Sequence, residues 1–169
     1  MALTYTALAT TTVGSGGAST IEFTNIPGTY TDLVIKASTR STRANTQDYI
    51  DIRLNSDSLN TYTYRRLFGT GSAAGSDSDT VNLVGYQAAA NATASTFGNA
   101  EIYIPNYTAT GVKSISTDSV NENNATAANQ GLTATNSVSG SAVTTIKLSC
   151  GSGNFVQYST ATLYGIKNS

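Results

Sequence analysis

Between residues 142 and 166 the chain reads AVTTIKLSCGSGNFVQYSTATLYGI, and Ile146, Leu148 and Cys150 alternate there with Lys147 and Ser149. Side chains two apart on a strand share a face, so this spacing asks for one side buried and one side wet. A Gly-Ser-Gly-Asn segment at 151–154 interrupts the pattern, and a run rich in Thr, Tyr and Val follows. The spacing predicts two strands joined by a tight connection.

The same period recurs along the chain. Residues 3–12 alternate loosely and run into Gly14-Ser15-Gly16-Gly17, which suits a first edge strand or a pairing arm, ordered only through a partner. Residues 21–23 alternate strictly before Pro27-Gly28 forces a turn. In residues 32–38, Leu33, Ile35 and Ala37 share one face and Val34, Lys36 and Ser38 the other, and apolar weight on both faces predicts a central strand. Residues 49–55 set Ile50, Ile52 and Leu54 inward against Asp51 and Arg53 outward.

After a turn at 55–58, residues 62–68 (YTYRRLF) read as a further strand. Residues 69–79 (GTGSAAGSDSD) hold nothing to bury and predict a long mobile loop. A short strand is expected at 80–84, a helical turn in the Ala-rich stretch 87–95, and a strand at 99–104 closed by Pro105. Strands at 111–120 and 130–138, around an Asn-rich loop at 121–129, complete about eight to ten short strands. The fold expected is all-β with little or no helix: an antiparallel, jelly-roll-like β-sandwich, with residues 1–17 as an arm and 18–169 as a single domain.

Charged residues make up only 11% of the chain, against the ~25% of an average soluble protein, so its polar surface is built from Ser, Thr, Asn and Gly. A weakly charged surface repels its own kind little and suits a subunit of an assembly. The net charge of −1 and scattered basic residues give no footprint for nucleic acid. The N-terminal stretch lacks the basic and apolar blocks of a signal peptide or membrane span, so no membrane partner is expected. Cys150, the single cysteine, is expected as a buried structural thiol, and the Asn-X-Thr triplets at Asn91, Asn106 and Asn124 as chance matches.

The chain has no histidine, and no hydrolase, metalloprotease or phosphate-loop motif is present. The pairs Asp48 with Asp51 and Asp77 with Asp79 are better read as turn and surface acids than as a catalytic carboxylate pair. Asp77-Ser78-Asp79 lacks the spacing of a calcium loop, and Gly151-Ser152-Gly153 lacks the Lys and helix start of a phosphate cradle. The chain is therefore read as a protein without catalysis, cofactor or metal.

Tyr62-Thr63-Tyr64-Arg65-Arg66 is more suggestive, because Tyr and Arg concentrate at the energetic centres of interfaces. With Arg40 and Arg43 it supplies the candidate interface residues: Tyr62, Tyr64, Arg65, Arg66, Arg40 and Arg43. By strand parity Arg66 shares a face with Tyr62 and Tyr64, while Arg65 lies with Thr63 and Leu67. A guanidinium on the buried face needs an acid, expected here from a neighbouring subunit or a shell.

The fragments YTDLVIKASTRS (30–41), FGNAEIYIPNYT (97–108), ENNAT (122–126) and GNFVQYSTATLYGI (153–166) together resemble a group of small all-β virion proteins of tailed bacteriophages, cyanophages among them. The resemblance implies a head decoration or cement protein that binds the major capsid protein on the outer surface of the head, as a homo-oligomer with a trimer favoured. Such a protein would be made in the host cytoplasm. The alternative it implies is a tail-fibre or appendage module that binds a host receptor or carbohydrate, with exposed Tyr62, Tyr64 or Tyr107 stacking on sugar.

Overall fold

The computed structural model describes residues 4–57, 61–124, 128–138 and 140–167. Residues 1–3 of the expected arm, Ser58 of the expected turn and 125–127 of the expected Asn-rich loop lie outside them. The described residues form twelve strands: β1 (Thr4–Thr12), β2 (Thr20–Phe23), β3 (Asp32–Thr39), β4 (Gln47–Leu54), β5 (Tyr62–Gly69), β6 (Ala74–Asp79), β7 (Leu83–Ala88), β8 (Gly98–Ile104), β9 (Lys113–Glu122), β10 (Ala128–Ser137), β11 (Ile146–Cys150) and β12 (Thr160–Lys167). They build a β-sandwich of two antiparallel sheets, one ordered β1-β12-β3-β8-β9-β10-β5-β6 and the other β2-β11-β4-β7.

Alternation places the core where the sequence reading expects it. Ile50, Ile52 and Leu54 of β4 are buried against Leu33, Ile35, Ile102 and Ile104 of the larger sheet, with Ile21, Phe23, Ile146 and Leu148 completing the layer. Each such side chain contributes roughly 1.5–3 kcal/mol on leaving water. β3 is interior to its sheet and buries Val34 on the opposite face as well, as a central strand should.

The other half of the sandwich is lined by polar side chains. The inward positions of β9 and β10 include Thr117, Ser119, Asn121, Asn129, Thr133 and Thr135, all buried on the side of β7. Two of them tie β7 down through its main chain: Thr135 Oγ1 donates to the Leu83 carbonyl (2.5 Å), and Ser119 Oγ accepts from the Tyr86 amide (3.1 Å). Small residues let β7 lie close. A Cβ added at Gly131 would sit 2.7 Å from the Tyr86 ring, so the tyrosine fits only because that position has no side chain.

Several expectations are corrected. The run at 142–166 is not a hairpin: β11 lies between β2 and β4 in the smaller sheet, and β12 between β1 and β3 in the larger one. Two pairing partners on each strand outweigh the short connection, which crosses between the sheets. Phe155, with no exposed surface, anchors it through main-chain bonds to Ala18 (2.8 and 3.0 Å) and bridges Ser41. Gly153 has φ +81°, and a Cβ there would meet Thr42 Oγ1 at 2.5 Å.

Residues 69–79 are not one mobile loop, because β6 pairs with β5 from Tyr64↔Asp79 to Gly69↔Ala74. Main-chain bonding and one side-chain pair hold a strand that has almost nothing to bury. β1 needs no partner chain to order it, since it pairs with β12 along its length, with a bulge between Ala7 and Ala9.

The stretch 87–95 forms no helical turn. Gln87 and Ala88 end β7, and the turn after it hands its carbonyls to Arg40: Nη1 donates to Thr93 O (2.7 Å) and Thr96 O (2.9 Å), Nη2 to Ala90 O (3.1 Å) and Ala92 O (3.0 Å). A guanidinium that satisfies four carbonyls removes the need for helical bonds.

Candidate functional site

The sequence-derived candidates do not converge on one surface. Tyr62 is fully buried, and its hydroxyl oxygen accepts the Leu54 amide at 2.7 Å. Tyr64 is buried beside it on β5, and Tyr107, with no exposed surface, bonds the Pro27 carbonyl. None of the three is an exposed stacking platform. Arg40 is buried in the turn it organises, and Arg43 Nη1 reaches the buried Asp48 at 3.2 Å.

Arg66 obeys the parity argument and faces inward with Tyr62 and Tyr64, 5% exposed. The acid that holds it belongs to the same chain and not to a neighbour: Nε lies 3.0 Å from Asp77 Oδ1, and Nη2 bonds Oδ2. Four rings surround the guanidinium, with centroids at 4.7 Å (Tyr86), 5.1 Å (Tyr49), 5.3 Å (Phe68) and 5.6 Å (Tyr64). Burial pushes the Tyr86 phenol up to about 12, even against the opposing charge of Arg66. This cluster is an internal joint between the sheets and the β6 edge.

Cys150 packs against the core, and burial pushes its thiol up to about 12, which leaves almost no thiolate near neutral pH. Among the described residues no group of three or more His, Cys, Asp or Glu side chains could hold a metal ion.

The outer face of the larger sheet carries a groove of about 910 Å³, over β6, β5, β10, β9 and β8. Its geometry follows from register. One row runs Ser78–Arg65–Ala134–Ser116–Tyr103 and the next Ser76–Leu67–Leu132–Asp118–Glu101. Small Ala134 and Ser116 form a floor between the long side chains of Arg65 and Tyr103, which stand three strand spacings apart, about 14 Å. Leu67 and Leu132 face each other across β5 and β10, 62% and 52% exposed.

The walls are fixed to different degrees. Tyr103 donates its hydroxyl to the buried Asp32 (2.9 Å), and Glu101 accepts from Lys36 (2.6 Å) on an exposed stretch of sheet. Arg65, which lines the groove, donates Nη1 to the Tyr64 carbonyl (3.0 Å), one of its five N–H donors.

Of the residues lining the groove, Arg65 and Arg66 are interface candidates by sequence, and Asp77 and Ser78 are set aside there as a poor calcium loop. Leu132 carried a usable signal: it is a large apolar residue at an outward position of a strand otherwise made of Asn, Gln, Gly, Thr and Ala. Asp118 and Tyr103 carried none, because their meeting depends on β8 and β9 pairing beside β10.

Comparison with protein-family models, curated proteins and solved structures finds no match.

Proposed function

We propose that the protein is a virion structural component of a tailed phage, a decoration protein that sits on the outside of the head shell and acts by binding. The reading draws on the sequence resemblance and on the charge-poor surface. The observation that carries it is the position of β1 at the end of the larger sheet, with most of its residues exposed. Native sheets guard their edges with charge, short strands or cover. β6 carries Asp77 and Asp79; β2 is four residues long and bears the Glu22–Lys147 pair at 2.7 Å; β7 is buried on both faces. β1 is nine residues of Thr, Tyr, Ala and Leu, free of charge and proline. Among the described residues its guard is the bulge between Ala7 and Ala9.

Such an edge accepts a strand from a second copy or from the major capsid protein, by main-chain bonding that needs little side-chain specificity. A protein that binds only the mature shell stabilises it by its own binding free energy, and symmetric repetition as a homo-oligomer, a trimer on local three-fold positions, multiplies the effect. Ala9→Lys, on the exposed edge, should weaken shell binding and self-association while leaving the unfolding midpoint of the monomer unchanged. Particles that lose the protein and keep their full heat and osmotic resistance would remove the cement role. The appendage alternative is favoured by a different feature, the groove on the outer sheet face.

A further inference from the structure

We propose that the groove over β6, β5, β10, β9 and β8 binds a neutral oligosaccharide, and that Arg65, Asp118, Tyr103, Leu67 and Leu132 form the binding surface. The inference goes beyond the decoration reading and holds wherever on a particle the protein sits.

Three observations choose the ligand class. The first is charge: Arg65 is offset by Asp118, and Glu101 is offset by Lys36 at 2.6 Å, so the groove has no net attraction for a phosphate or an acidic polymer. The second is the absence of a main-chain edge in its middle. β5, β10, β9 and β8 are each paired on both sides, so a peptide laid in the groove finds no ladder to join. Recognition has to come from side chains.

The third is the arrangement of those side chains. A pyranose ring presents a flat C–H face and a rim of hydroxyls, each both donor and acceptor. The facing pair Leu67 and Leu132, more than half exposed, offers an apolar patch for the first. Asp118, one strand from Leu132 in the same row, accepts from adjacent hydroxyls, and Arg65, in the next row, donates to them in fork geometry. The floor of Ser116 and Ala134 leaves room for the sugar between Arg65 and Tyr103, and the Tyr103 ring is fixed in place by its bond to Asp32 (2.9 Å). The site is therefore pre-formed on strands, which keeps the ordering cost of binding low.

The test is titration of the full chain with maltohexaose, cellohexaose, laminarihexaose and chitohexaose, with heparin and an acidic hexapeptide as competitors of other classes. Binding is followed by calorimetry and by backbone amide shifts. The expected result is binding of at least one neutral hexasaccharide with a Kd near the ~1 mM range or tighter, and shifts confined to β5, β8, β9 and β10. Asp118→Ala and Arg65→Ala should each weaken it about tenfold, the equivalent of one charge-assisted hydrogen bond. Both side chains are exposed, so their melting temperatures should stay at the wild-type value, and a melting shift alone would not count as support. Failure of all four sugars to bind, shifts that map away from the groove, or preference for heparin or the peptide would each overturn the proposal. Shell binding by the same two variants separates the inferences, since the β1 edge lies at the far side of the sheet and loss of sugar binding should leave it intact.

Discussion

Arg66 and Asp77 stand opposite each other in the β5–β6 ladder, and the guanidinium closes on the carboxylate inside a box of four aromatic rings. The side chain of Arg66 is 4% exposed and that of Asp77 is 40% exposed. The pair thus has a buried cation and a half-wet anion. β6 brings no large apolar side chain to the fold, so this contact and the ladder are what keep it on the sheet.

Removing the anion leaves a buried charge with rings as its remaining company. Asp77→Ala should lower the unfolding free energy by roughly 3 kcal/mol, the lower end for breaking a buried pair, because water already reaches Asp77. Arg66→Met should cost less, since a thioether packs against the same rings and leaves a half-exposed acid that can hydrate. Urea unfolding with unchanged m-values checks both. A loss under ~0.5 kcal/mol for Asp77→Ala would show that the rings alone hold the cation.

Arg40 sets a second prediction. Its two terminal nitrogens donate to four carbonyls of the turn after β7, within 2.7–3.1 Å. Arg40→Lys keeps the charge and loses the fork, so it should cost on the order of 2 kcal/mol and raise hydrogen exchange across residues 90–97 while β3 and β8 keep their protection. Full retention of exchange protection in that turn would show that it folds without the guanidinium.

The fold class was legible because alternation is a local property. Ile50, Ile52 and Leu54 announce a half-buried strand whatever lies beside them. Partner choice is not local, and there the reading failed. Nothing in Gly151-Ser152-Gly153-Asn154 says that β11 pairs with β2 and β4 and not with β12, and Phe155, buried in the crossover, looked like part of the second strand. β6 was missed for a related reason: Gly, Ser and Asp have poor strand propensity, and a neighbour's ladder plus one arginine override it. The groove was the least visible feature, because its residues come from five strands and meet only through register.

Phe155 makes the crossover testable. It has no exposed surface and ties residues 18, 41 and 155 together at one end of the sandwich. Phe155→Ala should cost about 3–5 kcal/mol, the range for removing a buried aromatic ring. A simple hairpin connection would tolerate that change within ~0.5 kcal/mol. Thermal or urea unfolding of this single variant distinguishes the two.

Asp51 carries the pH dependence. Burial, reinforced by the nearby charge of Asp48, pushes its carboxyl up to about 6 from an ordinary value of 3.8. The native state therefore holds a proton that the unfolded chain releases between those two values. Where the native state binds more protons, stability falls as pH rises, so this residue makes the fold more stable at pH 4 than at pH 7. The sequence has no histidine to mask that window. The expected loss on going from pH 4 to pH 7 is of order 1–2 kcal/mol, discounted for the part of the side chain that water reaches. Asp51→Asn should recover most of it at pH 7 and flatten the profile between pH 4 and 6. Urea midpoints measured across that range decide the matter: a wild-type curve that rises with pH through 6, or an asparagine variant with the same slope as wild type, would show that Asp51 is solvated and ordinary.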